Sequence, residues 1–119
     1  MDGNLTVDLC LTAAAIHARA GRLKSALVLA GLGLSKAPDD ARLRRLSAYL
    51  ALEAGRPAEA LAHLKRLETL EPLSGAHGSP RDVLAARALL ALGRMDEARA
   101  RFARHLGARS ARGDAETAS

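Results

Sequence analysis

GRPAEA, Gly55–Ala60, is the stretch whose reading decides the fold, because Gly-Arg-x-x-x-Ala also stands upstream as GRLKSA (Gly21–Ala26) and downstream as GRMDEA (Gly93–Ala98). The first two glycines lie 34 residues apart and the last two 38. Pro38 and Pro72 each follow the alanine of their repeat by 12 residues, and Ser110 holds the equivalent place after Ala98. Glycine, alanine and proline thus mark one register twice, and glycine and alanine mark it a third time.

A period of 34 residues is that of the TPR unit, two antiparallel helices joined by a tight turn. The sequence therefore predicts an all-α, TPR-like α-solenoid of three helix-turn-helix repeats, six helices in all. Gly21, Gly55 and Gly93 end the first (A) helix of each repeat, where the chain needs a left-handed backbone angle that is cheap for glycine alone. Ala26, Ala60 and Ala98 fall where the second (B) helix crosses the first, a place for a small side chain. Pro38 and Pro72 close the B helices of the first two repeats.

The expected helices run over 6–20, 23–35, 40–54, 57–70, 80–92 and 95–106. Pro57 and Pro80 suit a first helical turn, Ser79 can cap the helix that Pro80 opens, and Asp39 or Asp40 and Asp96 supply capping oxygens or negative charge at other helix starts. One TPR-like domain then covers residues 1–107, with repeats at about 6–38, 40–72 and 80–107. Residues 108–119, ARSARGDAETAS, read as a disordered polar tail. The extra residues before the third repeat sit in LSGAHGSP, Leu73–Pro80, which has the composition of a loop.

Stacked hairpins of this kind curve, with the A helices lining the concave side. Counting back from the repeat glycines places Leu11, Ala15, Ala18, Arg45, Tyr49, Leu52, Val83, Arg87 and Leu90 there, an apolar channel with arginine at two rungs. Such a channel suits an amphipathic helix or an extended segment whose carboxylate meets Arg45 or Arg87. Three repeats is about the minimum that stands alone. Nothing after the last B helix reads as a polar cap, so Leu, Val and Phe surface is expected to stay open until a partner or a second copy covers it.

Composition excludes more than it assigns. The chain has 119 residues, a net charge of +5, 49% apolar residues, one Phe, one Tyr and no Trp, so a single domain must build its core from Ala and Leu, which favour helix. Basic residues are spread along every expected helix and almost no aromatics are present to stack bases, which argues against nucleic acid. An RNA-associated repeat protein remains a rival whose binding would collapse steeply with salt. His17, His63, His77 and His105 lack the Cys or carboxylate neighbours of a metal site, and Cys10 reads as a packing residue. Without a phosphate loop, a nucleophile elbow or a catalytic constellation, neither a cofactor nor enzymatic activity is expected. One cysteine cannot form an intramolecular disulfide, and the opening MDGNLTVDLC lacks the basic start of a signal peptide, which points to a cytoplasmic protein that does not insert into membranes.

With the repeats placed, the stretches ARLRRLSAYLAL, LETLEPL and ARALLALGRMDEARARFARHL resemble in order and spacing the small TPR-type chaperones of bacterial type III secretion, most closely the YscY (SctY) type. The resemblance covers residues 13–106. It implies a chaperone of the bacterial cytoplasm that binds a small secreted partner of the YscX type, keeps it soluble and presents it to the export gate, and hence a part in protein transport and virulence. It assigns no catalytic residue, and it supports Arg45, Tyr49, Leu52, Val83, Arg87 and Leu90 as the binding surface. The LSGAHGSP loop is longer than the pattern. Two alternatives stay open: a needle-subunit co-chaperone of TPR type, and a generic TPR scaffold for protein–protein interaction. The scaffold is the weaker of these, since a carboxylate clamp uses Asn and the chain has only Asn4.

Overall fold

The computed structural model describes the backbone of residues 2–71 and 78–118 and the side chains of 5–71 and 81–106. It is all-α: α1 (Asp2–Arg19), α2 (Leu23–Lys36), α3 (Ala41–Glu53), α4 (Pro57–Leu70), α5 (Gly78–Ala91) and α6 (Met95–Ala118). Consecutive helices pair as α1 with α2, α3 with α4 and α5 with α6, which gives three helix-turn-helix repeats. No helix among the described residues is long and apolar enough to cross a membrane.

The Gly-Arg-x-x-x-Ala pattern has a direct structural meaning. Gly21, Gly55 and Gly93 have φ of 77°, 74° and 76°, the left-handed region. At each turn the glycine N–H donates to the carbonyl three residues back, and the arginine N–H donates to the carbonyl five back: Arg22 to His17, Arg56 to Ala51 and Arg94 to Leu89, each at 2.8 Å. These are the paired bonds of a Schellman cap, which satisfy carbonyls that the A helix leaves open. The same arginine then starts the B helix, because its carbonyl accepts from the repeat alanine: Ala26 to Arg22 at 3.0 Å, Ala60 to Arg56 at 3.1 Å and Ala98 to Arg94 at 3.1 Å. Two residues therefore end one helix and begin the next. All three alanines are buried at the hairpin crossing. Ala60→Leu should overpack that crossing and cost 1–3 kcal/mol, an order-of-magnitude figure for added methylenes in a packed core; an unchanged melting temperature would contradict this placement.

Repeats join by seating each A helix on the preceding B helix, α3 on α2 and α5 on α4, while α1, α3 and α5 also touch in sequence. Among the described residues the backbones of α2, α4 and α6 stay apart, and α4 meets α6 through side chains such as Glu68 and Arg101. Closer backbone approach on the A side than on the B side bends the stack, with the A helices inside the curve. The shortest dimension, 26 Å, is that of two helix layers.

The core forms two clusters. The larger joins Ala48, Ala51, Ala60, Leu61, Leu64, Leu67, Ala85, Ala88, Leu89 and Ala98 across the second and third repeats. The smaller joins Ala14, Ala26 and Ala30 of the first repeat to Leu50 of α3. Alanine lets the helices approach closely, and glycine takes this furthest at Gly33, where a Cβ would lie 2.9 Å from Leu43 Cδ1.

Several boundaries differ from expectation. Helix α1 starts at Asp2 rather than Thr6, since no proline interrupts the stretch between them. Of the two aspartates expected at the start of α3, Asp40 is the cap, its carboxylate accepting from the N–H groups of Arg42 at 3.0 Å and Leu43 at 3.2 Å. Helix α5 begins at Gly78, so Ser79 lies inside its first turn rather than at a cap before Pro80. Helix α6 continues to Ala118, through the stretch read as a tail. The physical reason is its content of Ala, Arg and Glu with no proline, which permits helix even where the apolar period has ended. Pro72, His77 and most of the LSGAHGSP loop lie outside the described residues.

Candidate protein-binding groove

The nine groove positions form three rows in repeat register: 11, 45 and 83; 15, 49 and 87; 18, 52 and 90. Each row takes one residue from α1, α3 and α5, so the contacts between these helices bring the rows together along the inside of the curve. The floor is apolar and half-buried, with Leu11, Ala15, Ala18, Leu52 and Val83. Leu52 also packs on the larger core cluster and Ala18 on the smaller one. Tyr49 and Leu90 stand exposed above this floor. Between the first two repeats Tyr49 and Ala18, with Leu23, Leu50 and Glu53, line a recess of about 220 Å³.

The two arginines differ. Arg87 is exposed and its Nη2 donates to Glu53 of α3 at 3.2 Å, an exposed pair that a ligand carboxylate can replace at little cost. Arg45 is half-buried and paired within the protein. Its guanidinium donates to Glu71 at the end of α4, and the other oxygen of that carboxylate accepts from the buried Arg81 Nη1 at 3.1 Å. One carboxylate shared by two cations draws Arg45 towards α4, so Arg45 is less free than Arg87 to meet a ligand.

Sequence reasoning missed this polar joint. Arg81 and Asp82, at the start of α5, are both buried. Asp82 accepts from Arg101 of α6 at 3.3 Å and faces Arg104 at 3.5 Å, and Arg101 also donates to Glu68 of α4. The network ties four helices together behind the groove. A signal existed in the repeat register, where Arg81 occupies the row of Leu9 and Leu43; an arginine in a leucine row requires a carboxylate nearby.

On another face of α3, Arg44 donates to the Pro38 carbonyl at 2.8 Å and lies 3.1 Å from His63 Nδ1. A guanidinium has no acceptor, so Nδ1 receives the bond and the ring is neutral, with its proton on Nε2. Burial, reinforced by the Arg44 charge, lowers the His63 pKa. The folded state thus binds this proton less readily than the unfolded chain. Stability from this site is fully present above the ordinary histidine value near 6.5 and is lost as pH falls through the lower folded value. Thermal melts should show a drop in stability from pH 7 to pH 5 that His63→Gln reduces; an identical drop in the variant would contradict the assignment.

No family model, curated protein or solved structure matches the chain, so the helical-repeat fold and the groove stand on the geometry alone.

Proposed function

We propose that the chain is a non-catalytic binding protein that holds a polypeptide segment in the A-helix groove, and that it serves as a type III secretion chaperone in the bacterial cytoplasm. The observation that carries the binding reading is the pairing of exposed Tyr49 and Leu90 with an apolar floor along the inside of the curve. Exposed apolar side chains beside a recess offer contact surface for an inserted apolar residue, with tyrosine the favoured anchor. The exchangeable Arg87–Glu53 pair adds a place for a carboxylate. A small export substrate of the YscX type fits this chemistry, since an unfolded chain with apolar segments gains from being covered reversibly before export. The secretion role rests on the resemblance of the three stretches quoted above.

Co-expression with the small proteins of a type III secretion locus, followed by pull-down, tests the proposal. Recovery of a small export substrate in a stable complex is the expected result. Tyr49→Ala combined with Leu90→Asp should weaken that complex at least tenfold, as loss of two anchors implies, with the melting temperature of the free chain unchanged. A chain that is soluble alone and captures no such partner would overturn the secretion reading. Full binding by the double variant would overturn the groove.

A further inference from the structure

Among the described residues, each end of the stack exposes one half of the same inter-repeat junction. Five residues of α3 are buried: Leu43, Ser47, Ala48, Leu50 and Ala51. Their repeat equivalents in α5 are Arg81, Ala85, Ala86, Ala88 and Leu89, and all five are buried as well. The equivalents in α1 are Leu9, Ala13, Ala14, Ile16 and His17. There Ala14 is buried, but Leu9 and Ile16 are each 61% exposed, whereas Leu43, Leu50 and Ala88 are at 0%. What distinguishes them is the preceding B helix, since Leu43 packs on Gly33 and Leu50 on Ala26 and Ala30 of α2. No described helix does this for α1. Leu5, at 62%, extends the open stripe by another turn.

The other half is on α6. Leu61, Leu64 and Leu67 of α4 are buried with Ala85, Ala88 and Leu89 of α5 in the larger cluster. Their equivalents in α6 are Arg99, Phe102 and His105, with Met95 and Leu106 on the same face; Met95, Phe102 and Leu106 are 48%, 43% and 57% exposed. Phe102 and Leu90 with Ala98 and Arg99 form an apolar recess on this end.

We propose that the occupant of each open face is a second copy of this chain, stacked head to tail, with α1 of one copy seated on α6 of the next in the geometry by which α3 sits on α2 and α5 on α4. The argument is continuity of register: one molecule carries an A face lacking its B helix and a B face lacking its A helix. Their shapes match in kind. Phe102 is a single large knob, and α1 offers the small Ala13 between Leu9 and Ile16, as α5 offers Ala85 and Ala88 to Leu64. Arg99, where the earlier B helices have Leu27 and Leu61, weakens the contact by placing a charge within it. These faces lie at the ends of the stack, and Leu90 borders both the groove and the recess beside Phe102.

Such a contact is heterologous, so it propagates rather than closing at a dimer. Sedimentation of the full chain over a concentration series should show the mean mass rising from the 12.5 kDa monomer without a plateau at twice that value. Ile16→Glu and Phe102→Glu should each stay monomeric alone, and an equimolar mixture should give a one-to-one heterodimer, because each variant keeps the face that the other has lost. Arg99→Leu should bring association to about tenfold lower concentration. These side chains are exposed, so the variants keep the wild-type helical signal. A wild-type chain that is monomeric throughout overturns the proposal. So does persistent self-association of Phe102→Glu, which would show α1 pairing with α1, and so does a mixture that stays monomeric.

Discussion

Leu50→Ala should destabilise the protein by about 3 kcal/mol, the order expected for emptying a fully buried leucine site, and the loss should fall on one end of the molecule. Leu50 is buried among Ala14, Ala26 and Ala30, with Ala18, Leu23, Leu27, Leu29 and Leu46 only partly covered around them. Among the described residues it is the only large side chain fully buried in that cluster, and alanines have no length with which to refill the space. The second and third repeats share a separate cluster that includes Leu61, Leu64, Leu67 and Leu89. Quasi-one-dimensional folds lose stability by the repeat. Hydrogen exchange on the variant should therefore show α1 and α2 losing protection while α4 and α5 retain theirs. Leu64→Ala, placed in the larger cluster, should lower protection in α3 to α5 instead. An even loss through all helices after Leu50→Ala would mean that the two clusters behave as one. Because a domain of this kind holds only about 5–15 kcal/mol in total, the first hairpin of the variant should open often enough to be seen at equilibrium.

How much of this was legible in the sequence depends on whether a residue acts within its own repeat or between repeats. The Gly-Arg-x-x-x-Ala turns are local: six consecutive residues contain the cap of one helix, the start of the next and the small residue at their crossing. All three were readable, and α4 has the bounds expected for it. The alignment of positions from one A helix to the next follows for the same reason, since a fixed register carries a position along the repeats. The fate of Arg45 was not, because its partner Glu71 lies 26 residues away, beyond a helix end whose exit path no local rule fixes. The length of α6 was also hidden. A hydrophobic period signals packing, and where packing stops the period stops, while helix can continue on propensity alone. Exposed Leu, Val and Phe surface was anticipated at one end or in the groove, but that α1 carries such a face became clear only when Leu9 and Ile16 were set beside buried Leu43 and Leu50.

Removing the Glu71 carboxylate is expected to cost about as much as Leu50→Ala, by a different mechanism. Arg81 is the largest of the fully buried side chains among the described residues, and Glu71 gives it one oxygen at 3.1 Å while the other is taken by Arg45. A cation left in the interior after losing its carboxylate typically costs 3–5 kcal/mol. Arg81 is not held by Glu71 alone, so the loss from Glu71→Ala belongs at the lower end, about 3 kcal/mol. Arg45, with its side chain about a third exposed, can turn to water and adds little. The cause can be separated from simple loss of packing by a second substitution. Arg81 stands in the row of Leu9 and Leu43, and a leucine there needs no carboxylate. Arg81→Leu in the Glu71→Ala background should therefore recover about 2 kcal/mol or more in urea unfolding, a coupling of the size seen between groups in direct contact. If the two changes simply add, the buried arginine does not depend on Glu71. If the double variant regains stability, the charged joint is not needed for strength at this position, and its value lies in fixing how α5 docks on α4 after a loop longer than the repeat requires.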